Sequence, residues 1–411
     1  MLQFSRYGWI RIGLVNLCLV ALMGTLMRYK ILFEFPWLNQ GHLLHAHSHF
    51  AFAGWVGHSL LVMISSWLAR MRGWDFLKAT LYQRLILINL ICSYGLLVSF
   101  ALFGYHPISN TFSIGAVITH GVFIYSFFRD SHGIKHPSLK WFRAAFWFYL
   151  LSCVGIMSLA YLMVYGPFST KTYLFSIYFY LHFQYNGWFF FACMGLLTDW
   201  LVRNEPADLP RRKDGFLLFW ITCIPTLLLS ALWLDLPLWL LLIIALAAIL
   251  QLIAFLQLWK RLVYSPAFKS ANVGKLMQVL CVLILLALAV KVLLQTGSTV
   301  PKISEMAFGF RHIVIAYLHL VLLCIVSLFL LLYFRMEKIF PRTRSYIVAV
   351  AVFAILAYLN ELTLAIQGIA SFSYVPVPGG HQVLLFVSAG LLLTALFILI
   401  ISSRKLAKNQ V

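Results

Sequence analysis

Apolar runs of about 20 residues, separated by short polar turns, fill this chain almost from end to end. They fall near 12–27, 45–68, 85–104, 111–128, 145–164, 173–198, 216–234, 237–258, 276–296, 309–334, 346–367 and 381–402. Runs of that length predict an all-α, polytopic membrane protein of about twelve transmembrane helices. The longest polar stretch, Arg203 to Gly215, is rich in proline and charge and divides the first six runs (1–202) from the last six (216–411). It reads as a cytoplasmic loop (203–215) inside a single membrane domain, 1–411, with no soluble domain. A second loop, Thr296 to Phe310, holds Gly297, Pro301 and Glu305 and is placed to cap a site on the outer face.

Composition sharpens that picture, because 63% of residues are hydrophobic and 10% charged, where soluble domains carry about a quarter charged. The net charge of +20 raises the question of which side of the bilayer holds the lysines and arginines. If both termini are cytoplasmic, 25 of the 31 lie inside, and Arg28, Lys30, Lys171, Lys291, Lys302 and Arg311 remain outside. Such a bias fixes the orientation, and anionic lipid is then partner enough for the basic charge, with no need of nucleic acid. The seven cysteines fall inside predicted spans without a CxxC pair and read as packing residues. Arg6 and Arg11 precede a first span without a cleavage site, so it is expected to stay uncleaved.

One stretch breaks the apolar monotony. GHLLHAHSHFAFAGWVGH, Gly41 to His58, holds five histidines, and repeated neutral imidazole in an apolar setting is the usual equipment for a metal or a haem iron. A single histidine in a transmembrane helix more often serves as a hydrogen-bonding core residue; five in one segment favour a ligand role. On a helix His42, His45 and His49 share one face, and His47 and His58 another. Further along, His120, His182 and His319 lie, like His49, about 12–14 Å below the outer starts of their helices, and His381 opens the last span. His106, His132 and His136 fall in loops and read as solvated residues. Asn360, Glu361 and Lys291 are intramembrane polar groups, with function and mutual pairing weighed evenly.

Histidines on spans 2, 6 and 10, all in the outer half of a twelve-span chain, resemble subunit I of the haem–copper oxidase superfamily, which includes terminal oxidases and nitric oxide reductases. LHAHSHFAFAGW is similar to the family's helix 2 segment for a low-spin haem, with His45 the better match and His49 the next. AYLHLVLL puts Tyr317 where the family has the high-spin haem histidine, and His319 where it has the second low-spin ligand. HFQYNGWF places His182 at the second-metal ligand, with Asn186 in place of the glutamate of the nitric oxide reductase branch. Span 7, where the family has an adjacent histidine pair, contains none. The His-Ala-His of span 2 also resembles the NnrS haem- and copper-containing membrane proteins, with Ser48 where their motif continues with glutamate.

The resemblance thus implies a low-spin b-type haem on His45 or His49 and His319, held without a CxxCH motif, and Tyr317 as the axial residue of a high-spin haem in place of the missing histidine. It leaves the copper or non-haem iron centre short of ligands, with His182 joined only by a rearranged set drawn from His47, His58 or His120. The expected protein is a respiratory electron-transfer component of a bacterial inner membrane, fed by a quinol or a small redox carrier, with partner subunits and with O2 or nitric oxide as acceptor if turnover occurs. Two other classes are weighed beside it. One is a transition-metal transporter or chaperone using the histidine ladder, against which stand the lack of Met- and Cys-rich motifs and the few intramembrane carboxylates; the other is a structural subunit without cofactor. A desaturase-like di-iron enzyme is set aside, since the single HxxxH of His45 and His49 has no HxxHH companion.

Overall fold

Helix α1 (Arg6–Leu32) starts at Ser5, whose hydroxyl accepts from the Gly8 N–H, and begins a chain that is helical nearly throughout. The computed structural model describes residues 4–166, 169–206, 213–234, 236–270, 274–300, 303, 311–340 and 343–403. Among these, ten helices are long and apolar enough to cross a membrane, and the protein is an integral membrane protein of the all-α class. They are α1, α2 (Gln40–Arg72), α3 (Thr80–Phe103), α4 (Pro107–Asp130), α5 (Ser138–Tyr165), α8 (Leu238–Val263), α9 (Lys275–Gly297), α10 (His312–Met336), α11 (Arg344–Phe372) and α12 (Gly380–Ser403).

The two remaining expected spans differ from these ten. Helix α6 (170–204) is one continuous helical run that is too polar to count with them. The seventh is broken: α7 (Phe216–Cys223) gives way to a 3-10 segment, Pro225–Ala231. Pro225 has no N–H to continue the α ladder, and the Leu227 N–H turns to Ile224 O at 3.1 Å. Of the outer loop, Pro301, Lys302 and Glu305 lie outside the described residues, as do residues 207–212 of the 203–215 loop.

The chain divides into two compact units, the first being 1–135, 330–363 and 377–411 and the second 136–329 and 364–376. In the first, α1 packs along α12 and α2, and α3 lies against both α2 and α4. Asn39 caps α2 by accepting from the N–H groups of Gly41 and His42, at 2.8 and 3.1 Å. At its far end Gly73, with φ +67°, takes the left-handed conformation that closes the helix. In the second unit α5 packs on α6, and the approach is close: a methyl group at Gly155 would lie 2.8 Å from the Ser176 carbonyl oxygen. Trp141, Phe142, Trp188 and Phe191 fill the core there. Arg261 clamps Glu205 through two hydrogen bonds, and Ser265 adds a third.

Candidate functional site

Among the described residues three helices contain a π-helical stretch, and they are the three whose histidines the oxidase resemblance rests on. A π-helical stretch runs over Ala51–Gly57 in α2, Phe183–Phe189 in α6 and Leu320–Ser327 in α10. The first begins two residues after His49, and the others directly after His182 and His319. Wide π turns are rare, cluster at functional sites and loosen the regular i to i−4 ladder. In a lipid setting the loosened carbonyls need partners from the protein itself.

In the first unit those partners are side-chain amides. Asn16 of α1 donates to Gly54 O at 2.5 Å, and Asn89 of α3 donates to Ala53 O at 3.3 Å. Tyr94 in turn donates its hydroxyl to Asn16 Oδ1 at 2.8 Å. The two predicted histidine faces are present. On one, His49 stacks flat on Phe100, with centroids 4.4 Å apart and planes 4° apart, and His45 meets Tyr105 edge-on at 4.6 Å. His42 on the same face fills the space beside Gly104, whose φ is +62°. On the other face His47 donates from Nδ1 to Val20 O at 3.1 Å, and His58 donates from Nε2 to Trp9 O at 3.0 Å, both carbonyls belonging to α1. Neither His45 nor His49 has a ring nitrogen bonded to another described residue.

His120 of α4 and His319 of α10 share a further device. Each donates from Nδ1 to the carbonyl four residues back, Ala116 O at 3.0 Å and Ile315 O at 2.8 Å. That bond selects the tautomer whose Nε2 carries the lone pair, the arrangement second-sphere bonds give to metal-ligating imidazole. In the second unit the ring of Tyr317 lies 6.1 Å from that of Tyr185.

His182 is built differently. Its Nε2 donates to Cys223 O at 2.8 Å, and its Nδ1 accepts from Asn186 Nδ2 at 3.1 Å. A neutral imidazole has one donor and one acceptor, and here both are used, on a side chain 1% exposed. The Cys223 carbonyl needs such a donor because the helix tightens at Pro225, and Thr226 Oγ1 reaches it at 3.3 Å as well. Lys291, buried and bonded to Gln295 at 2.8 Å, lies within electrostatic reach of His182 and Cys223. Among the described residues no group of three or more His, Cys, Asp or Glu side chains gathers as a metal cluster. A second metal at His182 does not fit these residues, since binding would break a buried hydrogen bond. His47 and His58 each give one nitrogen to a carbonyl of α1, and His120 gives one to its own helix.

Some residues singled out in the sequence have other tasks. His106 caps α4 ahead of Pro107 by accepting from the Ile108 N–H at 3.3 Å. His136 is not a solvated residue: its Nδ1 accepts from the Ser138 N–H at 3.2 Å and its Nε2 lies 3.8 Å from the buried Asp199 carboxylate. Asn360 donates to Glu361 at 3.0 Å. The sequence reading passed over Asn16, Asn89 and Tyr94, although an isolated asparagine inside an apolar span is a signal in its own right.

No family model matches the sequence, and no curated protein matches it. A solved structure does: a heme-copper terminal oxidase dimer, at TM-score 0.68 and 12% identity, over 97% of this chain and 84% of that one. At that identity the likeness is one of fold, and the chain has a haem–copper terminal oxidase fold of divergent sequence.

Proposed function

We propose that this chain is an integral membrane redox protein that binds b-type haem non-covalently and passes electrons through it. The observation that carries the reading is the pairing of an oxidase fold with imidazoles prepared for ligation within each unit. His45 and His49 in the first keep their ring nitrogens clear of hydrogen bonds to described residues. His319 in the second is locked by Ile315 O in the tautomer that presents Nε2. These are the proposed axial ligands of a low-spin haem; Tyr317, which has no comparable orienting bond among the described residues, is not proposed as the ligand of a second, high-spin haem. When bound, the haem supplies one-electron chemistry, with potential set by axial ligands and the bonds behind them.

The electron donor proposed is a quinol or a small redox carrier, and the setting a bacterial inner membrane, with partner subunits as such assemblies commonly have. Both ring nitrogens of His182 are hydrogen-bonded, so reduction of O2 or nitric oxide at a two-metal centre is not part of the proposal. The test is a pyridine haemochrome assay with metal analysis of the purified protein. Haem b without stoichiometric copper supports the reading, and copper or zinc without haem overturns it in favour of a metal carrier.

A further inference from the structure

We infer that Asn16, Asn89 and Tyr94 are positioning residues for the imidazole face of α2, holding its π segment in the shape that sets the rings of His45 and His49. The inference rests on the haem reading above and concerns the first unit alone.

A π segment departs from the favoured helical pitch, and Ala51–Gly57 is buried at Phe52, Gly54, Trp55, Val56 and Gly57. Left alone in an apolar medium, it would regain hydrogen bonds by tightening toward an α-helix. Tightening would turn His45 and His49, on one side of the segment, relative to His58 on the other. Two amides on two different helices oppose this by donating to consecutive carbonyls, Ala53 and Gly54. Both asparagines are 0% exposed, and Asn89 leaves its Oδ1 without a partner among the described residues. An amide buried with one end unsatisfied is costly, so its retained bond to the π segment calls for a role.

The side chains carry the constraint on to the histidines. The Phe50 ring takes the room over Gly54, where a methyl group would lie 2.6 Å from it. Its centroid is 5.4 Å from that of Tyr94, whose hydroxyl holds Asn16. His49, next to Phe50, stacks on Phe100, and Asn89, Tyr94 and Phe100 all belong to α3. One helix therefore supplies both the clamp on the π segment and the platform under the imidazole.

The test uses the full-length, haem-loaded protein and reads the midpoint potential and the low-spin absorption bands, which follow ligand geometry and second-sphere bonding. Tyr94→Phe removes one hydroxyl and keeps the ring, and is expected to retain haem while shifting the potential. Asn89→Leu and Asn16→Leu are expected to shift it further or to weaken the low-spin bands. Melting of the same variants without haem separates a merely structural role. A lowered melting temperature with wild-type potential and spectrum in Tyr94→Phe would overturn the inference, as would no change in either. A wild-type protein that binds no haem would overturn the haem reading and this inference with it, whereas haem bound identically in all four proteins would overturn the inference alone.

Discussion

The imidazole of His182 donates from Nε2 to the backbone carbonyl of Cys223, 41 positions along the chain, at 2.8 Å. It thereby ties α6 to the point where α7 gives way before Pro225.

His182→Ala is accordingly expected to act on stability more than on metal content. The substitution removes the shorter of the two side-chain hydrogen bonds on the Cys223 carbonyl and takes the acceptor from the buried Asn186 amide, a loss of about 1–3 kcal/mol visible as a lowered melting temperature in detergent. Bound copper or iron should be unchanged by the substitution, and O2 or nitric oxide consumption should be slow or absent in both proteins. One equivalent of metal lost on substitution, with rapid turnover in the wild type, would show that His182 is a ligand.

His319→Ala should abolish the low-spin haem signal, since removing one of two strong axial imidazoles leaves the iron five-coordinate or free. His120→Ala should leave it nearly intact, although both rings carry the same bond from Nδ1 to the carbonyl four residues back. Absorption spectra of the two reduced variants provide the check. The opposite pattern would move the axial ligand to α4.

Much of this could be read from the residues, and what was missed has a physical cause. The two faces of the His42–His58 segment followed from helical spacing, and the structure puts Phe100 and Tyr105 on one and the carbonyls of α1 on the other. Hydropathy located ten of the twelve expected spans but not their ends: the run near 45–68 is the helix Gln40–Arg72, because Asn39 and Gly73 end it by hydrogen bonding that hydropathy does not register. The 216–234 span failed at Pro225, a visible signal outweighed by the apolar pattern around it. The role of His182 was not legible, because its partner is a distant backbone carbonyl freed by that break. The π segments were hidden too, since their supports, Asn16 and Asn89, sit on other helices.

Gly187→Ala should destabilise the second unit. A methyl group there would lie 2.4 Å from Phe148 Cβ, an atom fixed to the α5 backbone, so α5 and α6 would have to part. Overpacking of this kind costs about 1–3 kcal/mol. Thermal unfolding is the measurement, and a wild-type melting temperature would show that the contact yields.

Fusion of a cytoplasm-active fluorescent reporter should give signal at both the N-terminus and the C-terminus, as the 25-to-6 division of Lys and Arg requires. A periplasm-active phosphatase fused after Tyr374, between α11 and α12, should be active. Reversed activities would overturn the orientation and place the histidine-bearing halves of α2, α6 and α10 on the cytoplasmic side.

The most direct measurement is the reduced-minus-oxidised absorption spectrum of the purified protein, recorded with and without carbon monoxide. Six-coordinate haem b with two imidazole ligands should give sharp low-spin bands on reduction that carbon monoxide leaves largely unchanged. A haem-replete preparation without those bands, holding stoichiometric zinc or copper in their place, would contradict the account.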